Sequence, residues 1–164
     1  LEKLDLGKQI HGYVVKQGLL KDKFVVSAMI DMYGKSGDAS GIIKHFEEFE
    51  QMETRVCNAY ITGLSRNGLV DKALEMFEFF KEQKMGLDVV SWTSIISGCV
   101  QNGKDIEALE LFREMQVAGV KPNRVTIPSM LPACGNIAAL VHGRSAHGFA
   151  VRIHLLDDVH VGSA

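Results

Sequence analysis

The chain has 164 residues, of which 46% are hydrophobic and 23% are charged, as is ordinary for a folded soluble protein. Its formal net charge of -2 excludes a basic field over the whole molecule, so any nucleic-acid-binding surface has to be confined to one face. No apolar run is long enough to cross a membrane, and no signal or transit segment precedes the first predicted helix. Because the sequence begins at Leu1, we expect it to be a piece of a longer protein.

Along the chain, hydrophobic residues recur at helical intervals and predict pairs of short helices without strands between residues 23 and 158. The chain opens with one unpaired helix, "GKQIHGYVVKQG", at residues 7–18. First helices are then predicted to begin near Val25, Cys57, Trp92 and Ile127. Their partners are predicted to begin near Ala39, Val70, Asp105 and Ala139.

Small residues mark the points where the two helices of a pair are expected to cross. Ala73 and Ala108 occupy this position, and Gly7 and Gly143 fit the same need elsewhere. Ile42 is the exception, so its pair is predicted to be splayed or shifted.

An internal repeat explains the helix pairs. The segment "NGLVDKALEMF" (67–77) returns 35 residues later as "NGKDIEALELF" (102–112). Between 61–77 and 96–112 there are eight identities in 17 positions, including the Asn-Gly pair of a turn, whose residues both tolerate positive φ. A shift of 31 aligns Ala28 with Ala59 and Gly37 with Gly68, and a shift of 136 aligns the two ends of the chain.

These intervals divide the chain into units. Residues 1–22 are a half unit, 23–53 a short unit, 54–88, 89–123 and 124–158 three units of 35 residues, and 159–164 the start of another. The predicted architecture is an all-α solenoid of helix–turn–helix repeats.

The repeat resembles that of the pentatricopeptide repeat family. The segment "DVVSWTSIISGCVQNGKDIEALELFREMQVAGVKPN" (88–123) is similar to the family's repeat throughout. The segments "GKQIHGYVVKQG" (7–18) and "AMIDMYGKSGD" (28–38) resemble the long and short variants of plant-type mixed arrays. By this resemblance, residues 1–22 are the second half of a long-type repeat, 23–53 a short-type repeat and 124–158 a long-type repeat. The resemblance implies a right-handed superhelix whose first helices line a groove for single-stranded RNA, with about one base read per repeat. The tetratricopeptide class is the alternative, because Ala108, Phe112 and Pro122 satisfy part of its pattern, but Ile96 and Met115 replace its small residues.

The resemblance also implies which residues read the bases. The readers are a polar residue near the start of each first helix and the last residue of the repeat. The candidate pairs are Ser27 with Glu53, Asn58 with Asp88, Thr93 with Asn123, and Pro128 with Asp158. By the family's code, Asn with Asp favours uracil and Thr with Asn favours adenine, whereas Pro128 has no side-chain donor and Ser27 with Glu53 matches no strong combination. The alternative interpretation is that these side chains only start and cap helices.

Other positions are expected to hold the base and the phosphates. Residues three before the first readers are expected to sandwich each base, and these are Phe24, Arg55, Val90, Val125 and His160. Lys35 and Arg66 share a position that faces phosphates in the family, while Gln101 and Asn136 replace the cation in the later units. Ordinary inter-repeat packing and a solvated surface are the alternative roles.

The sequence offers little for catalysis. His142, His147, His154 and His160 cluster late in the chain, but no carboxylate or cysteine completes a metal-ligand set. The cysteines Cys57, Cys99 and Cys134 lack metal-ligand spacing and are expected to be reduced and buried. The acidic segment "HFEEFEQME" (45–53) is interpreted as a solvated helix end.

The predicted protein is therefore an RNA-binding module that is not an enzyme and needs no cofactor or metal. By the resemblance it serves RNA processing or C-to-U editing in a mitochondrion or chloroplast, with other RNA-processing or editing proteins as partners and no membrane association. A protein–protein scaffold is the alternative function. Apolar residues such as Ile10, Tyr13 and Val14 are expected to lie uncovered on the first helix, so the isolated fragment is expected to self-associate.

Overall fold

The computed structural model describes residues 2–49 and 53–136, and all regular structure within these ranges is helical. The predicted absence of strands is confirmed for the described part of residues 23–158. The chain divides into two compact units, residues 1–86 and 87–164. The second helix of the unit 124–158, the reader Asp158, the flanking residue His160 and the four late histidines lie outside the described residues.

The described part of the first unit contains five α-helices and one turn of 3-10 helix at Leu19–Lys21. Its α-helices are α1 (Glu2–Lys16), α2 (Lys23–Ser36), α3 (Ala39–Glu47), α4 (Thr54–Arg66) and α5 (Val70–Glu82). Helix α2 packs on α1, α3 and α4, and α4 packs on α3 and α5. The second unit contains α6 (Val89–Gln101), α7 (Asp105–Val117) and α8 (Thr126–Asn136), which pack against one another.

The predicted helix starts are close to the observed ones. The second helices begin at the predicted Ala39, Val70 and Asp105, while the predicted start at Ala139 lies outside the described residues. The first helices begin slightly before the predicted residues, at Lys23, Thr54, Val89 and Thr126. The reason is that the residues just ahead of each predicted start already have helical geometry.

The Asn-Gly pairs end α4 and α6, but the two residues have different roles. Only the glycines have positive φ, 76° at Gly68 and 72° at Gly103. Beyond them, the amide of Leu69 donates to Leu64 O at 3.0 Å and that of Lys104 donates to Cys99 O at 2.9 Å, which closes a Schellman motif. The asparagines keep negative φ and donate from their side chains instead, as when Asn67 Nδ2 bonds Gly63 O at 2.8 Å and Gly34 O at 3.0 Å.

Ile42 is accommodated within the first unit, and the splayed or shifted crossing of its helix pair stays a prediction. Its side chain is fully buried, and a Cβ built on Gly63 would lie 3.3 Å from Ile42 Cδ1. A Cβ built on Gly34 would lie 3.1 Å from the Gly63 Cα. The large side chain therefore fits because two glycines on the facing first helices leave room for it. Gly7 lies at a different close approach, because a Cβ built on it would lie 2.8 Å from Met32 Sδ on α2, the first helix of the next repeat.

Helix α1 presents an apolar face that no described residue covers. Leu6, Ile10 and Tyr13 are exposed at helical spacing on this face. Val14, which was expected to be uncovered with them, is buried against the rest of the first unit.

An aromatic cluster joins α1, α2 and α3. His11 Nδ1 lies 2.8 Å from the Tyr33 hydroxyl, and the rings of His11 and His45 meet edge to face with centroids 4.2 Å apart. Tyr33 stacks on His45 with centroids 5.0 Å apart. His45 is only 4% exposed, and Phe46 and Phe49 are also buried, so the interpretation of 45–53 as a solvated helix end holds only for the exposed glutamates Glu47 and Glu48.

We expect the first unit to lose stability as the pH falls below about 6.5, the ordinary histidine pKa. Burial, and next the nearby His11, lower the pKa of His45, and Lys44 acts in the same direction against the opposing Glu48. Because the unfolded chain then binds the proton more readily than the folded one, stability is fully present above the unfolded pKa and declines below it, by at most about 1.4 kcal/mol per pH unit. Urea unfolding at pH 7.5, 6.5 and 5.5 measures this. The free energy of unfolding should decline less from pH 6.5 to 5.5 in His45→Gln than in the wild type. A wild-type urea midpoint that does not change with pH would contradict the prediction.

The three cysteines are free and buried, as predicted. Burial raises the pKa of the Cys57 thiol to about 12 and raises that of Cys134 as well.

Within the described ranges, no helix has the length and apolarity to cross a membrane, and no three His, Cys, Asp or Glu side chains gather as a metal site would require.

Candidate nucleic-acid interface

The last residue of a predicted repeat caps the first helix of the next repeat. Asp88 Oδ1 accepts from the backbone amides of Val90 and Ser91 at 3.0 Å each, and Ser91 Oγ accepts from the Asp88 amide at 3.2 Å. Asn123 Oδ1 caps α8 in the same way, with contacts of 2.8 Å to Val125 N and 3.1 Å to Thr126 N. The capping role considered in the sequence is thus present, and it fixes where each of these side chains lies.

Glu53 is the exception among the described repeat ends. It precedes α4 but its side chain makes no capping hydrogen bond. Instead its Oε2 lies 2.7 Å from Lys23 Nζ at the start of α2. The pair Ser27 with Glu53 therefore has one member held in an ion pair, and Ser27 Oγ donates to Phe24 O at 3.1 Å.

Four side chains predicted to flank bases project into solvent from equivalent positions at the starts of α2, α4, α6 and α8. Phe24 is 57% exposed, Val90 53% and Val125 56%, and Arg55 is also exposed. Large apolar side chains that recur at one exposed position are not explained by packing within a unit.

Phe24 and Arg55 contact each other. The Arg55 guanidinium carbon lies 4.8 Å from the centroid of the Phe24 ring, a cation–π distance. A base held between two faces needs them about 7 Å apart, which is two van der Waals contacts. The Arg55 side chain therefore has to move before a base can enter between this pair.

The two predicted readers of the unit 89–123 are joined through a third side chain. Thr93 is 9% exposed, and its Oγ1 lies 2.7 Å from Thr126 Oγ1. The Thr126 hydroxyl donates to Asn123 Oδ1 at 3.2 Å. Thr126 was not a predicted site residue, although its place three residues after Asn123 is the spacing of a capping pair.

The remaining described readers have mixed surroundings. Asn58 is half-buried on α4. Pro128 is half-buried on α8 and, with Arg124, Val125 and Ser129, lines an open cavity of about 440 Å³. Its predicted partner Asp158 lies outside the described residues.

The two predicted phosphate-binding cations converge on one carboxylate. Lys35 Nζ lies 2.6 Å from Asp31 Oδ2, and Arg66 Nη1 lies 3.7 Å from Asp31 Oδ1. All three side chains are close to half exposed or more. Sequence reasoning missed Asp31, although its position four residues before Lys35 on one helix was a usable signal.

The later units lack this cationic pair. Gln101 Nε2 donates to Ser97 Oγ at 3.1 Å, and Asn136 Nδ2 donates to Asp105 Oδ1 at 3.3 Å. Among the described residues, the positive charge at this position is thus confined to the first unit.

Models of one protein family match the segments that contain the helix pairs. The PPR repeat model matches residues 24–53 and 55–85, and the PPR repeat family model matches residues 87–136. Together these segments include more than half of the chain. The chain belongs to the pentatricopeptide repeat family. The tetratricopeptide alternative is therefore wrong as a family assignment, while the plant-type mixed order of repeats and the unit boundaries stay predictions.

Curated relatives of this pentatricopeptide repeat chain come from Arabidopsis thaliana. Pentatricopeptide repeat-containing protein At1g20230 is 82% identical over 163 residues, which are 99% of this chain and 21% of the relative. The putative pentatricopeptide repeat-containing protein At1g17630 is 33% identical over 168 residues, covering 100% of this chain and 23% of the relative. The chain thus spans about a fifth of the length of these relatives.

The solved structures with a similar fold include a pentatricopeptide repeat protein, PPR10 from maize. Its crystal structure matches with a TM-score of 0.76 at 22% identity, over 93% of this chain and 22% of the other. PPR10 in complex with an 18-nt psaJ RNA element matches with a TM-score of 0.73 at 20% identity, over 92% of this chain and 25% of the other. The all-α repeat-solenoid fold predicted for this pentatricopeptide repeat chain is confirmed.

Proposed function

We propose that this chain is a single-stranded RNA-binding module that reads about one base per repeat and has no catalytic activity of its own. The observation that carries the proposal is the set of exposed side chains at the starts of the first helices. Phe24, Val90 and Val125 each leave more than half of their surface in water. Unstacked bases offer the planar apolar faces that such side chains bind irrespective of base identity.

The cationic pair of the first unit supports a place for the RNA backbone. Lys35 and Arg66 carry two positive charges against the one negative charge of Asp31. Their ion pairs are exposed, so water and phosphate compete easily for the cations. The net positive charge of this group is small, so phosphate contacts add little affinity. Stacking stabilises the RNA complex by roughly 1–3 kcal/mol per base, and the cost of association offsets part of this gain. We therefore expect a dissociation constant on the order of micromolar at physiological salt.

Fluorescence anisotropy with a labelled single-stranded RNA that contains 5′-UA-3′ tests this proposal. The double variant Lys35→Gln with Arg66→Gln should bind more weakly and lower the steepness of log K against log salt by about 0.7 for each phosphate that is no longer neutralised. Asp31→Asn should bind more tightly, because it releases both cations. Arg113→Gln, which removes one positive charge at an exposed position on α7, is the control. Failure to bind, or an Arg113→Gln effect as large as that of the double variant, would refute the proposed interface.

The hydrogen-bond chain at Thr93 supports adenine as the base for the unit 89–123. Because the Thr126 hydroxyl donates to Asn123 Oδ1, the Thr93 hydroxyl is left to donate to Thr126 Oγ1. Thr93 then offers only lone pairs to a ligand, and the exocyclic amino group of adenine is a donor that matches them. The Asn123 amide nitrogen adds a donor for a ring nitrogen of the same base.

A cellular role in organellar RNA processing or C-to-U editing, alongside other RNA-processing or editing proteins, completes the proposal. Two further Arabidopsis relatives at 29% identity carry the names chloroplastic and mitochondrial, and support a chloroplast or mitochondrial location.

The exposed face of α1 formed by Leu6, Ile10 and Tyr13 supports self-association of the isolated chain.

A further inference from the structure

A cavity of about 450 Å³ opens between α3, α4 and α5 in the first unit. Its wall includes Tyr60, which follows the predicted base reader Asn58 by two residues. Two residues turn an α-helix by about 200°, so the cavity lies on the other side of α4 from Asn58. The cavity is thus separate from the predicted RNA-binding positions.

Tyr60 supplies a buried polar group directed at this cavity. Its side chain is 1% exposed, and it stacks on Phe46 with ring centroids 3.9 Å apart. No hydrogen bond joins its hydroxyl to any other described residue. Burial, and next Glu47 and Glu75, raise the pKa of Tyr60 to about 12, so the hydroxyl is neutral near pH 7 and lies within the electrostatic influence of both carboxylates. Because this hydroxyl makes no hydrogen bond within the described chain and Tyr60 lines the cavity, a polar group that enters the cavity can bind it.

The charges around the cavity select a cation as that partner. Glu47, Asp71 and Glu75 line it together with a single ammonium group, that of Lys72. Elsewhere on α3 and α5, Glu48 pairs with Lys44 and Glu78 with Lys81. Glu47 and Glu75, in contrast, form no ion pair with any described residue. An anion such as an RNA phosphate is repelled here, whereas a positive group gains two carboxylates.

Of the biological cations, a guanidinium fits this wall best. Its plane carries five donors in a fixed fork, so one guanidinium offers donors both to the carboxylates and to the Tyr60 oxygen. A lysine ammonium is a compact, strongly hydrated charge and gains less from such a planar arrangement. We propose that the cavity between α3, α4 and α5 binds an arginine side chain of a partner protein. This site would operate whether or not the chain binds RNA.

Titration of the ¹⁵N-labelled chain with the peptide acetyl-Ala-Arg-Ala-amide, followed by NMR, tests the proposal. We expect shifts centred on Tyr60 and Glu75, with a dissociation constant on the order of millimolar for so small a probe. Glu75→Gln should weaken binding about fivefold, as expected when an exposed ion pair is removed. Tyr60→Phe should weaken it about fivefold because the hydrogen bond to the guanidinium cannot form, and it should leave the melting temperature unchanged, because the hydroxyl has no partner within the described chain.

Matched controls distinguish binding of the arginine peptide at this cavity from nonspecific electrostatic attraction to the acidic surface. Glu82→Gln makes the same charge change at an exposed position of α5 outside the cavity, and it should leave the affinity unchanged. A peptide with citrulline in place of arginine keeps the shape without the charge and should not bind. The proposal is overturned if the arginine peptide produces no shifts, if Glu82→Gln acts as strongly as Glu75→Gln, or if Tyr60→Phe binds as well as the wild type. Equal binding of spermine and the peptide at these residues would also overturn the assignment to arginine.

Discussion

Replacement of Gly41 with alanine is expected to destabilise the first unit by about 1–3 kcal/mol, although alanine is the better helix former. A Cβ at this position would lie 2.5 Å from Tyr33 Cδ1 and 2.7 Å from Cγ, well inside van der Waals contact. Tyr33 cannot move aside easily, because it is buried, bonded to His11 at 2.8 Å and stacked on His45. The clash therefore has to displace α3 from α2 or break the aromatic cluster.

Gly12 on α1 provides the matched control for this prediction. It also lies within a helix, but a Cβ there would meet nothing within 4 Å. Gly12→Ala is therefore expected to stabilise by about 0.5–1 kcal/mol through backbone entropy alone. Urea denaturation of the wild type and both variants measures the two effects. Stabilisation by Gly41→Ala would show that the cluster is looser than the contacts indicate.

The double substitution Thr93→Asn with Asn123→Asp is expected to change the base preferred by its repeat from adenine to uracil. The change reproduces at this repeat the pair Asn58 with Asp88, for which uracil is predicted. In the wild type Thr93 offers lone pairs, whereas Asn offers an amide donor as well, which suits a uracil carbonyl. With about 1–3 kcal/mol for each mismatched base, the ratio of the two affinities should change by about tenfold or more.

The fold should tolerate this exchange, because each new side chain already occurs at the equivalent place. Asp88 caps α6 through the same two amide contacts that Asn123 makes on α8, so Asn123→Asp keeps the cap. The measurement is anisotropy with paired RNAs that differ only at this base, in an array long enough to bind. Thr93→Val is the control, because it removes the hydroxyl without adding a new reader and should weaken binding without a preference for uracil. An unchanged preference for adenine in the double variant would contradict the assigned readers.

Much of the local structure could be predicted from single residues and their spacing. Ala39, Val70 and Asp105 begin their helices where the apolar periodicity placed them, and Gly68 and Gly103 end helices with the expected positive φ. These features depend on contacts within one helix or one turn, so a short window of sequence contains their cause. The room for Ile42 could not be predicted in this way, because the two glycines that provide it lie on other helices, at residues 34 and 63.

In the candidate site, too, features set within one repeat could be predicted, whereas contacts between repeats could not. Phe24, Val90 and Val125 recur at exposed positions because the repeat itself places them at the starts of first helices, and their role in holding bases stays a prediction. The interactions between repeats were not predictable by period alone. Arg55 packs on the ring of Phe24, and Arg66 joins Lys35 at Asp31, only because α2 and α4 lie side by side.

By itself, the sequence determined the family, the all-α class and the positions that recur in each repeat, because a period of about 35 residues repeats the same local chemistry. Tertiary structure alone decided which of those recurring side chains are accessible or already engaged. Thr93 is buried against Thr126, His45 is enclosed by His11 and Tyr33, and Tyr60 lines a cavity together with Glu47 and Glu75. Each of these outcomes depends on residues brought together from different helices, and the free energy of such contacts is set by burial and distance rather than by spacing along the chain.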